Sequence, residues 1–207
     1  IDNKKNKSLN LEFKNFEFYN CNIQNYKKMS LVVKKILKKS KGIDVLINCA
    51  GIIDFKSIEK STIDFWKKII DVNLTGTFIT CKLIAPSMKK NKKGSIINVS
   101  SRAAKFGGLD ETAYCASKFG VEGLSRSLYE ECKKHNVFVN TITPGTPIKT
   151  SMSKKTYSDE KKKIWKNPYL ISPAFLHLGV QTKSVITNKY VDAWQLTKKI
   201  KHKYKLN

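Results

Sequence analysis

Three compact apolar runs, each closed by a small polar turn, constrain this chain more than any other feature. Asp44-Val45-Leu46-Ile47 leads into Asn48-Cys49-Ala50-Gly51. Ser95-Ile96-Ile97-Asn98-Val99 leads into Ser100 and Ser101. The run from Val137 leads through Asn140-Thr141-Ile142-Thr143 into Pro144-Gly145. Runs this short and this apolar read as strands: Asp44 to Asn48, Gly94 to Ser101 and Val137 to Ile142. Between them lie helical stretches. Residues 26–41 set Met29, Val32, Val33, Ile36 and Leu37 on one stripe opposite lysines, with Gly42 where a C-cap glycine belongs. A long helix starts at Ser61 or Thr62 and runs toward Pro86, its apolar positions covering more than one face. Another spans 112–134. Strands alternating with helices of this length dictate βαβ units and a parallel sheet, whose ligands bind beyond the carboxyl ends of the strands. Each polar turn stands at such an end.

The flanks read less sharply. Phe16 to Cys21 alternates enough for a short strand. A polar loop follows Gly145, with short helices expected near Asp159–Trp165 and over Pro173–Leu178, the second ended by Gly179. Lys189 to Leu196 reads as a last strand, and 198–207 as a basic, mobile tail.

The length of 207 residues suits one domain with room for a core. No apolar run is expected to span a bilayer. The net charge of +24 raises the question of nucleic acid. The basic residues are almost all lysine, with arginine only at 102 and 126, whereas readers of phosphate and base edges lean on the guanidinium fork. The lysines are spread along the chain beside many asparagines, which favours compositional drift over a dedicated surface. The five cysteines, Cys21, Cys49, Cys81, Cys115 and Cys132, form no paired motif. They are expected to be buried or partly buried free thiols in a reducing, cytoplasmic compartment. The three histidines show no metal-ligand spacing, so no metal site is expected.

Chemistry concentrates in Tyr114-Cys115-Ala116-Ser117-Lys118. On a helix, the phenol and the ammonium leave one face and can meet. A cation near a phenol favours the phenolate, making the tyrosine a better proton donor and acceptor near neutral pH. Cys115 points about 100° away and reads as a packing residue.

The Asn-x-Ala-Gly turn, the serine, Tyr-x-x-x-Lys and Pro-Gly occur together in one order, and the spacing from Ser101 to Tyr114 fits the same pattern. With this set the chain resembles the short-chain dehydrogenase/reductase family from about Phe16 to Leu196. A 3-oxoacyl-carrier-protein-reductase-like role is one option within it. The resemblance implies a Rossmann-like, doubly wound parallel sheet in a three-layer α/β/α arrangement, lacking the first βαβ portion. It implies NAD or NADP as cofactor, a small carbonyl or alcohol substrate, and a homo-oligomer built through the two long helices; the lysine richness of the chain, not the resemblance, adds a faint lean to NADP. Tyr114 would be the general acid or base. Lys118 would lower its pKa and bond the nicotinamide ribose. Ser101, rather than Ser100, would hold the substrate oxygen, and Asn73 would support a water-linked proton relay. Asn22 and Ile23 would lie near adenine, and Asn48, Ala50 and Gly51 near the cofactor backbone. Pro144, Gly145, Ile148 and Thr150 would lie near nicotinamide. Ile148 would supply the backbone N–H there, because Pro147 has none.

Two departures qualify the resemblance. The glycine-rich turn that brings backbone N–H groups to a diphosphate is not found before Phe16. The chain is therefore expected to be part of a longer protein, or to have a counterpart of that turn that is disordered, with a degenerate, inactive copy as the alternative. Thr146-Pro147-Ile148-Lys149-Thr150 also runs one residue longer than the common pattern. Tyr157, Trp165 and Tyr169 are available to contact substrate or pack a lid. The rival functional reading is a non-catalytic basic protein binding nucleic acid or an acidic partner.

Overall fold

The computed structural model describes residues 16–156, 164–181 and 186–204. Four strands, β1 (Val45–Asn48), β2 (Gly94–Val99), β3 (Val137–Thr143) and β4 (Tyr190–Asp192), form one parallel sheet in sequence order, with β1 and β4 at its edges. Asn48 pairs with Asn98, Asn98 with Thr141, and Thr143 with Asp192, so the strands end nearly level on one rim.

The inner strands β2 and β3 are apolar on both faces because helices cover both, whereas Ile47 of the edge strand β1 stays exposed. On one side Leu46, Ile96, Val137 and Val139 pack against Val33 of α1 (Tyr26–Lys39), Cys81, Ile84 and Met88 of α3 (Gly76–Asn91), and Cys132 of α4 (Thr112–Cys132). On the other, Ile97 and Ile142 meet Ala174 and Leu178 of α6 (Ser172–Gly179) and Ala193 of α7 (Ala193–Tyr204). Ile96 and Ile97 fall on opposite faces and both are fully buried. Each side chain so buried contributes roughly 1.5–3 kcal/mol. The buried Ser95 hydroxyl donates to the Leu178 carbonyl at 2.7 Å, tying sheet to helix. The three-layer arrangement expected from the sequence is present.

Thr62 caps α2 (Ile63–Ile70), its hydroxyl accepting the Phe65 N–H. The helix then widens into a π turn over Asp71–Thr75, where the Gly76 N–H bonds the Asp71 carbonyl, and continues as α3. It passes through Pro86 to Asn91 rather than stopping near Pro86. Pro86 and Lys82 are both exposed, so the Lys82 carbonyl that loses its helical donor can turn to water. The helical run Ile63–Asn91 is long and apolar enough to cross a bilayer, contrary to expectation, but half of its most apolar window is buried inside the molecule.

Other expectations are corrected. Phe16 to Cys21 is not a strand; only Asn20 makes an isolated bridge. Alternation alone does not make a strand, which needs a ladder of pairs, and among the described residues of this stretch Asn20 alone pairs. α1 ends before Gly42, at Lys39, and is capped by Ser40, whose N–H and hydroxyl both reach the Ile36 carbonyl. Strand pairing stops at Asp192 and α7 begins, so the basic stretch from Lys198 to Tyr204 is helical. Part of the expected loop after Gly145 is helix α5 (Ser151–Thr156). The helix expected near Asp159–Trp165 lies mostly outside the described residues. Cys49, following the end of β1, is exposed rather than buried.

Candidate active site

The rim formed by β1, β2 and β3 gathers the turns that the sequence singled out. α4 packs on β3 and carries its buried face inward, with Tyr114, Ser117, Lys118, Glu122 and Ser125 on it. Lys118 extends to the end of β2, where its Nζ donates to the Val99 carbonyl at 2.9 Å. Its ammonium lies 5.7 Å from the Tyr114 ring centroid. Lys118 is only 5% exposed. Burial pulls its pKa down to about 8, while nearby Cys49 and Glu122 oppose the fall.

Asn73 stands in the π turn, and such widened turns recur where a helix must aim a functional group. It is 1% exposed. Its Oδ1 accepts the Ile52 N–H at 2.8 Å, and its Nδ2 donates to the Ile52 carbonyl at 2.9 Å and the Ser117 hydroxyl at 3.0 Å. Ser117 in turn donates to the Tyr114 carbonyl at 2.7 Å. The asparagine thus joins the turn after β1 to the helix bearing the tyrosine. A Cβ on Gly51 would lie 3.3 Å from Asn73 Oδ1 and 3.7 Å from Lys118 Nζ. The absence of a side chain there leaves a recess beside the lysine.

Ser100 and Ser101 diverge as successive residues of an extended segment must. Ser100 is buried, and its hydroxyl has no hydrogen-bond partner among the described residues. Ser101 is half-buried. Its hydroxyl oxygen accepts the Ala103 N–H at 3.2 Å, which leaves the hydroxyl hydrogen to be donated outward. Its carbonyl accepts a bond from the Tyr190 phenol at 3.1 Å. Burial pushes the Tyr190 pKa up, which keeps that donor protonated. Tyr114 packs against Ile69, Ala103 and Ala113, between the π-bulged helix and the serine loop.

The remaining expected residues fall into two groups. Ala50 and Gly51 border the recess. Asn48 turns its amide inward, donating to Asn98 Oδ1 at 2.8 Å and accepting from Thr80 at 2.6 Å, so only its backbone faces the rim. Asn22 folds onto Gln24 through both backbone and side chain, and Ile23 packs over Gly76. Gly145 has φ +70°, and a Cβ there would meet Asp192 Oδ1 at 1.9 Å, so its glycine serves close approach of the α7 cap. Pro144 accepts the Trp194 N–H. Ile148 bridges Lys166 through the Pro147 carbonyl and the Lys149 N–H, and its own N–H takes no part in that bridge. Thr150 and Ser153 exchange side-chain and backbone bonds at the start of α5. Beyond them a cavity of about 570 Å³ is lined by Lys149, Thr150, Ser151, Trp165, Asn167 and Pro168. Tyr169 is exposed, and Tyr157 lies outside the described residues.

Sequence reasoning passed over Ser117, Glu122 and Tyr190. Glu122 was accessible, being four residues beyond Lys118 on the same helical face. Tyr190 was not, because nothing local links it to Ser101.

The sequence profile of the short chain dehydrogenase family matches residues 3–161. The 3-oxoacyl-(acyl-carrier-protein) reductase FabG of Thermotoga maritima is 31% identical over 180 residues, covering 84% of this chain and 73% of that protein. The FabG of Chlamydia pneumoniae is 38% identical over 133 residues, 64% of this chain and 53% of the relative. The chain thus spans about half to three quarters of the length of these relatives. Among solved structures, ElxO with NADP bound superposes with a TM-score of 0.77 over 86% of this chain and 76% of that one, at 23% identity, a likeness of fold.

Proposed function

This chain belongs to the short chain dehydrogenase family, and from that premise we propose that it carries the proton-handling site of an NAD(P)-dependent oxidoreductase interconverting a carbonyl and an alcohol. One observation carries the reading: Asn73 Oδ1 and Lys118 Nζ both lie within 4 Å of the point where a side chain on Gly51 would begin, with Tyr114 one helical turn from the lysine. The recess suits the nicotinamide-ribose end of a dinucleotide. Among the described residues there is no glycine-rich turn for its diphosphate.

A cofactor bound there would supply or accept a hydride. The rest falls to the protein. The Ser101 hydroxyl donates to the substrate oxygen, which becomes more negative as the carbonyl is reduced. The Tyr114 phenol delivers a proton to that oxygen in reduction and takes one in oxidation. Lys118 uses one of its three donors on Val99, leaving two for a ribose hydroxyl or a water. Asn73 holds Ile52 and Ser117 so that the recess and the tyrosine keep their spacing. The cofactor is NAD or NADP, and the lysine-rich surface leans toward the phosphorylated form. A carrier-borne 3-oxoacyl substrate, as in the names of the FabG relatives, is the leading candidate, and the lysines suit an acidic carrier. Pairing of copies through the two long helices belongs to the same reading. The alternative of a basic binding protein has no support among the relatives matched.

The test is titration of the full-length protein with NADH and NADPH, followed by nicotinamide fluorescence, together with turnover of a 3-oxoacyl thioester. Binding of at least one nucleotide is expected, with Tyr114→Phe retaining the fold and that binding while losing nearly all turnover. Binding of neither nucleotide, or wild-type turnover in Tyr114→Phe, refutes the proposal.

A further inference from the structure

A second polar cluster lies behind the recess, on the far side of Lys118. Glu122 is 8% exposed, one turn beyond Lys118 on the buried face of α4. Its Oε2 accepts the Thr141 hydroxyl at 2.9 Å. Its Oε1 has no hydrogen-bond partner among the described residues. Glu122 also lines a cavity of about 40 Å³, shared with Arg126, Thr141, Lys189 and Tyr190 among others. That volume suffices for one water. A buried carboxylate with an unmade bond is costly unless a charge or a water answers it.

The sheet register brings the carboxylate and the ammonium together. Thr141, which holds Glu122, pairs across the sheet with Asn98. Val99, which holds Lys118, is the next residue of β2. The two anchors are thus on neighbouring strands, one residue apart, or roughly 6 Å from strand spacing and rise. Both side chains come from one helix into one desolvated layer.

We propose that Glu122 is a positioning residue acting through Lys118: its carboxylate is the buried counter-charge that keeps the lysine ammonium charged and directed at the recess. A water in the cavity completes the hydrogen bonding of Oε1. The groups facing Lys118 are Cys49 after β1, Tyr114 and Glu122. Those facing Glu122 are Lys118 and Arg126 on α4, Thr141 on β3, Lys189 just before β4 and Tyr190 at its start. Arg126 and Lys189 are exposed to solvent, so Lys118 is the desolvated cation of the set. Burial draws the lysine's pKa down, and Cys49 first, then Glu122, oppose that fall.

The turnover arm of the test rests on the function proposed above; the stability arm does not. Urea unfolding would be measured from about pH 5.5 to about pH 10.5 in wild type, Glu122→Gln, Lys118→Met and the double variant, so that the window brackets a lowered bound. Glutamine keeps the volume and an acceptor for Thr141 while removing the charge. The Lys118-dependent change in stability with pH is expected to shift its lower bound, set by the folded lysine, down by about one pH unit in the Glu122→Gln background. The alkaline limb of kcat/KM should fall by the same amount. An unmoved stability profile in the Glu122→Gln background overturns the proposal, leaving Glu122 a purely structural partner of Thr141. If Glu122→Gln alone fails to fold, the double variant decides. Recovery of folding on removing the lysine supports the pairing, and equal failure overturns it. A shifted stability profile with an unshifted turnover profile leaves the pairing standing and removes Lys118 from the chemistry.

Discussion

Replacing Lys118 by Met gives a direct reading of what the buried ammonium costs the fold. The lysine has a pKa of about 8 in the folded chain against an ordinary 10.5. At 1.36 kcal/mol per pH unit, that gap is worth on the order of 3 kcal/mol. The sign follows from proton counting. Below pH 8 both folded and unfolded chains hold the proton, and the fold bears the full penalty of a desolvated charge. Between pH 8 and 10.5 the unfolded chain holds more protons than the folded one, so stability attributable to this group rises with pH. Relative to Lys118→Met, wild type should gain on the order of 1 kcal/mol between pH 7 and pH 9, and on the order of 3 kcal/mol by pH 10.5. Urea unfolding of both proteins, followed by circular dichroism at matched pH, isolates this term because other tyrosines, lysines and thiols titrate in both. The absolute difference at pH 7 is less informative, since methionine also abandons the Val99 carbonyl. A pH-independent difference between the two proteins would mean that the lysine titrates normally, and would remove the desolvated site on which the mechanism relies.

Asn73→Ala should cost on the order of 3 kcal/mol, because the Ile52 N–H and carbonyl and the Ser117 hydroxyl each lose a buried partner; a loss below about 0.5 kcal/mol by urea midpoint would show that water replaces the amide without cost. Gly145→Ala should cost about 2–4 kcal/mol, combining left-handed backbone strain with loss of the Asp192 bond to the Gln195 N–H that caps α7. Thermal unfolding checks it, and an unchanged Tm would mean that the cap moves aside freely.

The site was more legible than the edges of the fold. Asn48, Ser101, Tyr114 and Pro144 mark places where a buried strand or its covering helix meets the rim, and local pattern alone finds such places. The four-residue step from Tyr114 to Lys118 needs only helical geometry. The switch at Asp192 was missed because Tyr190-Val191-Asp192 and Ala193-Trp194 continue one apolar pattern. The clue was Asp192 three residues before Gln195, the spacing of a capped helix start. The Ser101–Tyr190 bond joins residues far apart in the chain, and no local rule anticipates it. Asn48 spends its amide on Thr80 and Asn98, because buried polar groups must find partners, which leaves its backbone for any ligand at the rim.

The π turn at Asp71–Thr75 has a mechanical corollary. One surplus residue puts the stripe of α2 out of phase with that of α3 by about 100°, which is why the apolar positions wrap around the helix. Excising one residue there would bring the two halves back into phase and swing Asn73 off Ile52. The rim would then come apart, so the length of this helix is set by the turn it must reach as well as by the sheet it covers.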